Sequence, residues 1–210
     1  MEDGERAVKP GRHLYVVEHL DPELEPWQLL EYGTINKECR AANCDFVLAG
    51  IGSSSKNQLE TMKQSATAPS TEQLLKDRHI DKSRVCLLDP KGGKELSPDD
   101  AAAFDVFVFG GILGDDPPRD RTAELRAKGF QGRRLGPEQM TTDTAARVTR
   151  IVIEDKVKLD DIPYIDRPDI ELGEGESVSM PFKYVRGEDG KPVMPEVSRI
   201  VTLVLRRGVY

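Results

Sequence analysis

The residues able to do chemistry crowd into two places: a glycine-rich stretch over 105–145 and a Glu18-His19 pair near the start of the chain. Phe104-Asp105-Val106-Phe107-Val108-Phe109 is a compact aromatic and β-branched run, the pattern of a buried strand, and the reading ends it at Gly110-Gly111. With no side chains there, a ligand or a second backbone can come close. Ile112, Leu113 and Gly114 complete the turn, Asp115 and Asp116 follow, and Pro117-Pro118 mark a helix start ahead of Arg119, Asp120 and Arg121. A second short strand, expected over 133–135, ends at Gly136, and a helix follows Thr141-Thr142-Asp143. Two tandem strand, glycine-turn and helix units describe the carboxyl edge of a parallel sheet, where open α/β folds bind ligands. On their own these residues define a small-molecule site and no more.

Other elements must bring the remaining groups to that edge. The run HLYVVE, over 13–18, reads as a central strand that delivers Glu18 and His19 at its carboxyl end. Pro26 opens a helix whose expected apolar face is Trp27, Leu29, Leu30 and Ile35, with Trp27 in the core. Strands are expected over 44–49 and 84–88, a polar Ser/Thr-rich loop over 53–70, and a short helix over 71–78. Ser97-Pro98-Asp99-Asp100 has the composition of a helix start. A helix over 141–156 should turn Ala145, Val148, Ile151 and Val152 inward. The acidic stretch over 159–176 reads as irregular, and 180–185 as a short extended segment. The glycines and Lys56 over 50–56 lack the spacing of a phosphate-binding loop.

Composition bounds the function. The chain has 210 residues, 38% hydrophobic and 32% charged, as expected of one soluble globular domain, and no run is long enough to span a bilayer. The opening MEDGERAVKPGR has no apolar core of a signal peptide and reads as a disordered tail. Cys39, Cys44 and Cys86 have neither disulfide nor zinc spacing, and His13, His19 and His79 do not cluster, so free thiols in a reducing cytosol and no metal are expected. The net charge of -7 tilts against a nucleic-acid partner and toward a basic one.

The stretch LGPEQMTTDTA resembles the LG-x-x-x-(L/M)-x-T-(D/E)-T-A signature of SPOUT methyltransferases. With RVCLLDP, FVFGGILGDDPPRDRT and MPFKYV, the chain is similar from about Leu14 to Pro195 to a fungal SPOUT branch of protein arginine methyltransferases that modifies the third protein of the small ribosomal subunit. The resemblance implies an α/β fold with a deep C-terminal trefoil knot and a mostly parallel central sheet with helices on both faces. The expected organisation is a tail over 1–12, a SPOUT domain over 13–158 knotted at about 84–156, and an extension over 159–210.

It also implies S-adenosyl-L-methionine as cofactor, S-adenosyl-L-homocysteine as product, and monomethylation of one arginine at its ω nitrogen. The cofactor would lie against Gly110, Gly111, Ile112, Leu113 and Gly114, against Arg134, Leu135, Gly136, Gln139 and Met140, and against Thr141, Thr142 and Thr144, with Leu88 and Asp89 completing the pocket. A guanidinium is almost never deprotonated in water, so carboxylates must hold its fork, aim one nitrogen and take the proton. Glu18 and Asp115 are the first candidates for clamp or base. Asp116 stands where the family carries other residues, and Asp120 has a structural alternative, pairing with Arg119 or Arg121. His19 is either a proton shuttle or a strand cap. Arg119, Arg121 and Tyr184 are the substrate-binding candidates, Tyr184 alternatively packing with Phe182. The expected partner is a basic protein in the cytoplasm, met by a monomer rather than a SPOUT dimer. Two rival readings are an RNA methyltransferase on the same fold, favoured by Arg119 and Arg121, and a cofactor-binding module without catalysis.

Overall fold

A computed structural model describes residues 12–21, 23–52, 67–111, 120, 122–173 and 176–195. Six parallel strands make the central sheet. In chain order they are β1 (Leu14–His19), β2 (Asp45–Ala49), β3 (Thr67–Ala68), β4 (Val85–Leu88), β5 (Val106–Gly111) and β6 (Gln131–Arg133). Their order across the sheet is β3-β2-β1-β5-β4-β6. The chain leaves β1 toward β2 but leaves β5 over β4 toward β6, so departures from adjacent strands diverge and open a crevice between β1 and β5.

Strict alternation along the strands builds two cores. Tyr15 and Val17 of β1 and Phe107 and Phe109 of β5 face one way, toward helices α1 (Pro26–Ala41) and α5 (Thr142–Ile153). Leu14, Val16, Val106 and Val108 face the other way, toward Leu74 and Leu75 of α2 (Thr71–Asp77) and Leu125 of α4 (Ala123–Ala127). Each such side chain, buried to within a few per cent, contributes about 1.5–3 kcal/mol. Helices on both faces of a parallel sheet are the architecture expected from the sequence, and a strand walled on both faces must read as a continuous apolar run. The short helix α3 (Asp100–Ala103) precedes β5.

Several elements differ from expectation. The strand β5 does not stop at Gly110-Gly111; the pair continues the ladder, Gly110 opposite Glu18 and Gly111 opposite His19. Strand β6 sits two residues earlier than the apolar pattern suggested, because its ladder partner is β4 and not a hydrophobic layer. The 53–70 loop contains β3, and its remainder over 53–66 lies outside the described residues. Ser97 is not the cap of α3; its amide donates to Asp100 instead.

Helix α1 starts at Pro26 as expected, but its buried face is Gln28, Glu31, Tyr32, Ile35, Asn36 and Cys39. Trp27, Leu29 and Leu30 are half-buried, so Trp27 is not a core residue. In α5, Val148 and Val152 are buried as expected, but Ala145 and Ile151 are only half so. The acidic stretch is ordered rather than irregular: β7 (Tyr164–Asp166) pairs antiparallel with β10 (Lys183–Val185), and β8 (Asp169–Gly173) with β9 (Glu176–Ser179).

Candidate active site at the carboxyl edge of the sheet

Parallel register sends every strand out at one edge. Glu18 stands beside Ala49 and Gly110, and Leu88 beside Arg133. Glu18 is buried, and its Oε2 accepts from the Thr71 amide (2.6 Å) and the Thr71 hydroxyl (2.5 Å) at the start of α2. A carboxylate there also meets the positive end of the helix dipole. One oxygen of the candidate clamp is therefore committed to the fold.

Both ring nitrogens of His19 have partners, Nδ1 at 3.0 Å from the Tyr32 hydroxyl and Nε2 at 3.2 Å from the Glu23 carbonyl. This is the capping arrangement rather than that of a shuttle. The same Tyr32 hydroxyl explains Gly111: a Cβ there would collide with it and lie 2.8 Å from Val17 Cγ1. Gly50, at φ +78°, would put a Cβ 2.6 Å from the His19 carbonyl oxygen. Glycine at these two positions lets β2, β1 and β5 close around Glu18 and His19.

Asp89, at the end of β4, is buried and held by Arg126, whose Nε and Nη2 reach its two oxygens at 2.5 and 2.8 Å. Arg126 also bonds Asp120, which Lys91 Nζ holds at 2.6 Å. The Arg126 and Lys91 hydrogen bonds hold the Asp120 carboxyl far below the usual range. Asp120 thus takes the structural alternative, but with Arg126 and Lys91. Ile112, Leu113, Gly114, Asp115, Asp116, Arg119 and Arg121 lie outside the described residues.

The second turn is strung between two backbone contacts. The Arg134 amide donates to the Lys94 carbonyl, and the Lys183 amide to the Gln139 carbonyl. Between them Leu135, Gly136, Gln139 and Met140 are half-exposed, Gly136 at φ +96°, and Arg134 is exposed with its Nε 3.4 Å from Glu95. Leu135 and Met140 pack one side on the core and leave the other open. A glycine-kinked turn with half-open apolar cover, following the residue that pairs with buried Leu88, fits a flat heterocycle with a polar sugar. Thr141, Thr142 and Thr144 are all buried, Thr141 donating to Asp143 (2.7 Å) and lying 2.8 Å from the Thr144 hydroxyl. Tyr184 is fully buried and lines no open groove, and Phe182 is half-buried.

Four residues that the sequence reading passed over are central here. Thr71, Tyr32 and Arg126 hold the candidate groups, and the fourth is Glu31. Glu31 lies buried on α1, accepting from the Trp27 indole at 2.9 Å. Its signal was available: an acid four residues after Trp27 on a helix whose other buried positions include Gln28 and Asn36. Among the described residues no group of His, Cys, Asp and Glu is placed to hold a metal ion.

A parallel sheet with diverging chain departures and glycine turns at its carboxyl edge defines an α/β nucleotide-type binding fold, and its solved likenesses are SPOUT methyltransferases. Trm10 of Thermococcus kodakaraensis shares the fold at 16% identity, with a TM-score of 0.51 over 70% of this chain and 95% of that one. The chain belongs to the SFM1-like family of protein arginine N-methyltransferases, whose model matches residues 14–205. It is 41% identical over 192 residues to protein arginine N-methyltransferase SFM1 of Saccharomyces cerevisiae, covering 87% of this chain and 90% of the yeast protein. The yeast enzyme's structure with S-adenosylmethionine superposes with a TM-score of 0.82 at 37% identity, over 93% of this chain and 91% of the other. Other structures of the same yeast protein hold S-adenosylhomocysteine and MTA.

Proposed function

We propose that this chain transfers a methyl group from S-adenosylmethionine to the ω nitrogen of one arginine in a small-subunit ribosomal protein, acting in the cytoplasm as a monomer. The observation that carries the reading is the match to the arginine methyltransferase family across 14–205, the span that contains the whole sheet edge. The bound cofactor supplies an electrophilic methyl on a sulfonium, a good leaving group, so no metal or covalent enzyme intermediate is needed. We assign Leu88, the Arg134–Met140 turn and the glycines of β5 to hold it. Acids at and behind this edge, in a chain of net charge -7, suit a cationic substrate better than a polyanion. What supports the monomer is β1: the chain's own strand brings Glu18 and His19 opposite Gly110 and Gly111.

The test is methyl transfer from labelled S-adenosylmethionine into purified small ribosomal subunits, followed by separation of protein from RNA. Label in one basic protein, lost when its acceptor arginine becomes lysine, is the expected result. Label in RNA overturns the substrate class, and no label despite cofactor binding overturns catalysis.

A further inference from the structure

The second turn, over 135–140, has little to hold its shape. It bends at Gly136, at φ +96°, and both Pro137 and Glu138 are exposed. Among the described residues, the backbone from Leu135 to Gln139 makes one hydrogen bond to another element: the Gln139 carbonyl accepts from the Lys183 amide (2.9 Å). Lys183 opens β10 and stands opposite Met140 in an isolated parallel bridge. The strand β10 is itself well fixed. Tyr184 and Val185 are buried, and all three of its residues pair with Tyr164–Asp166 of β7.

The Lys183 side chain grips the same turn a second time. Its Nζ donates to Glu138 Oε2 at 3.0 Å and stands 4.2 Å from the centroid of the Tyr164 ring, which packs against the core. The ammonium thus lies between a seated aromatic ring and a carboxylate on the open side of the turn. The Lys183 side chain is 19% exposed and that of Glu138 42%. The bond from Lys183 holds the Glu138 carboxyl below its ordinary value, so the pair is charged near neutrality. An ordinary surface ion pair contributes little, because two long side chains must give up their freedom to form it. Here the stem of Lys183 is already set by its backbone and by the ring, so less freedom is lost. Three successive turn residues, Glu138, Gln139 and Met140, are matched to this one residue of β10.

We infer that Lys183 is a positioning residue for the cofactor: through Glu138 and Gln139 it holds the turn over 135–140 in the shape that S-adenosylmethionine binds, which makes the segment carrying β7 and β10 a working part of the cofactor site. The inference rests on the assignment of that turn to the cofactor, made above. A turn already in its bound shape loses little freedom when the ligand arrives, whereas a loose one spends part of the binding free energy on being ordered. Because Lys183 acts through Glu138, removing the charge from either residue has one and the same effect on the cofactor.

The experiment is calorimetry of S-adenosylhomocysteine binding to the full chain and its variants, well below every Tm. Lys183→Met keeps the stem and the amide but removes the charge, and affinity should fall about fivefold, the upper range for a well-placed ion pair. Glu138→Gln should fall by the same factor, and Lys183→Arg, which keeps the charge, should recover most of the loss. The double variant Lys183→Met with Glu138→Gln should bind no more weakly than either single one, because both changes break one contact. Additive losses overturn the inference, since the two residues would then meet the cofactor separately. A lowered Tm with affinity within about twofold of wild type also overturns it and leaves Lys183 to hold the fold alone. Should Lys183→Met fail to fold, the exposed Glu138→Gln decides: undiminished affinity overturns the inference. Raising the salt concentration screens the pair, so wild-type affinity should fall toward that of Lys183→Met, and an equal salt dependence of the two overturns the inference. Wild type that binds no S-adenosylhomocysteine defeats the cofactor reading and this inference with it. If the variants behave as expected but ribosomal subunits take no label, the substrate assignment fails and the positioning role stands.

Discussion

The amide and hydroxyl of Thr71 both donate to one oxygen of Glu18, fastening the end of β1 to the start of α2. The residues are 53 positions apart, and the segment between them includes the whole of α1 and β2. Removing the carboxylate leaves two buried donors unpaired, which costs about 2–3 kcal/mol. Glu18→Ala should therefore lower unfolding stability by about that amount in urea, and Glu18→Gln, which keeps an acceptor oxygen, by less than half as much. If Glu18 also clamps substrate, Glu18→Gln will lose turnover while remaining folded. Two variants of equal stability would show that the Thr71 contact carries no energy.

Gly111 and Tyr32 are matched in the same way. A Cβ on residue 111 meets the Tyr32 hydroxyl and lies 2.8 Å from Val17 Cγ1, so Gly111→Ala overpacks a fully buried strand and should cost about 1–3 kcal/mol. Adding Tyr32→Phe removes the hydroxyl that the methyl strikes. The double variant should recover part of the loss, and a double-mutant cycle on thermal unfolding measures how much. Strict additivity would place the strain elsewhere.

Arg126 joins Asp89 at the end of β4 to Asp120 at the entrance to α4. Arg126→Ala strands the buried Asp89 carboxylate; with Arg126 itself one-third exposed, the expected loss is about 2 kcal/mol. Arg126→Lys should restore little, because an ammonium cannot bridge both oxygens of Asp89 and reach Asp120. Since Asp89 follows Leu88 beside the second turn, S-adenosylhomocysteine affinity should fall in both variants. Unchanged affinity by calorimetry would separate this network from the cofactor wall.

Legibility followed burial type. Central strands walled on both faces announce themselves as apolar runs, so β1, β2, β4 and β5 were readable to within a residue or two, as was Pro26 opening α1. Helix α1 misled because three of its six buried positions are polar: Gln28 bonds Asp21 and Glu31 bonds Trp27, pairings that a search for an apolar face does not register. The two-residue β3 and the pairing of β7 with β10 have no periodicity to find. At the site, Glu18 was visible as the acid ending a strand, but its tie to Thr71 spans too much sequence to be inferred. Asp143 was in plain view within TTDTA and was passed over because its burial, and its ion pair with buried Arg147, exist only in three dimensions.

His13 carries a pH dependence on the opposite edge of the sheet. Its Nδ1 lies 2.9 Å from Glu154 Oε1 and its Nε2 3.1 Å from the Ala101 carbonyl. Both partners are acceptors, so satisfying both requires two N–H groups and hence the protonated ring. The Glu154 hydrogen bond raises the His13 pKa, burial opposes it, and Ala101 and the Glu154 charge add to the rise, with Lys156 working slightly against. On Glu154 burial pushes the pKa up, but His13, Tyr15 and Cys44 together bring it below its ordinary value. A folded pKa above the unfolded value means that protonation favours the folded state. The contribution of His13 is fully present below the unfolded value of about 6.5 and is lost as pH rises through the folded pKa. Tm measured for wild type and His13→Gln should differ most at pH 6 and converge toward pH 8.5, and the His13 ring should titrate in NMR with a midpoint above 6.5. A Tm difference constant across that range would mean that His13 contributes packing on Phe107 and no charge.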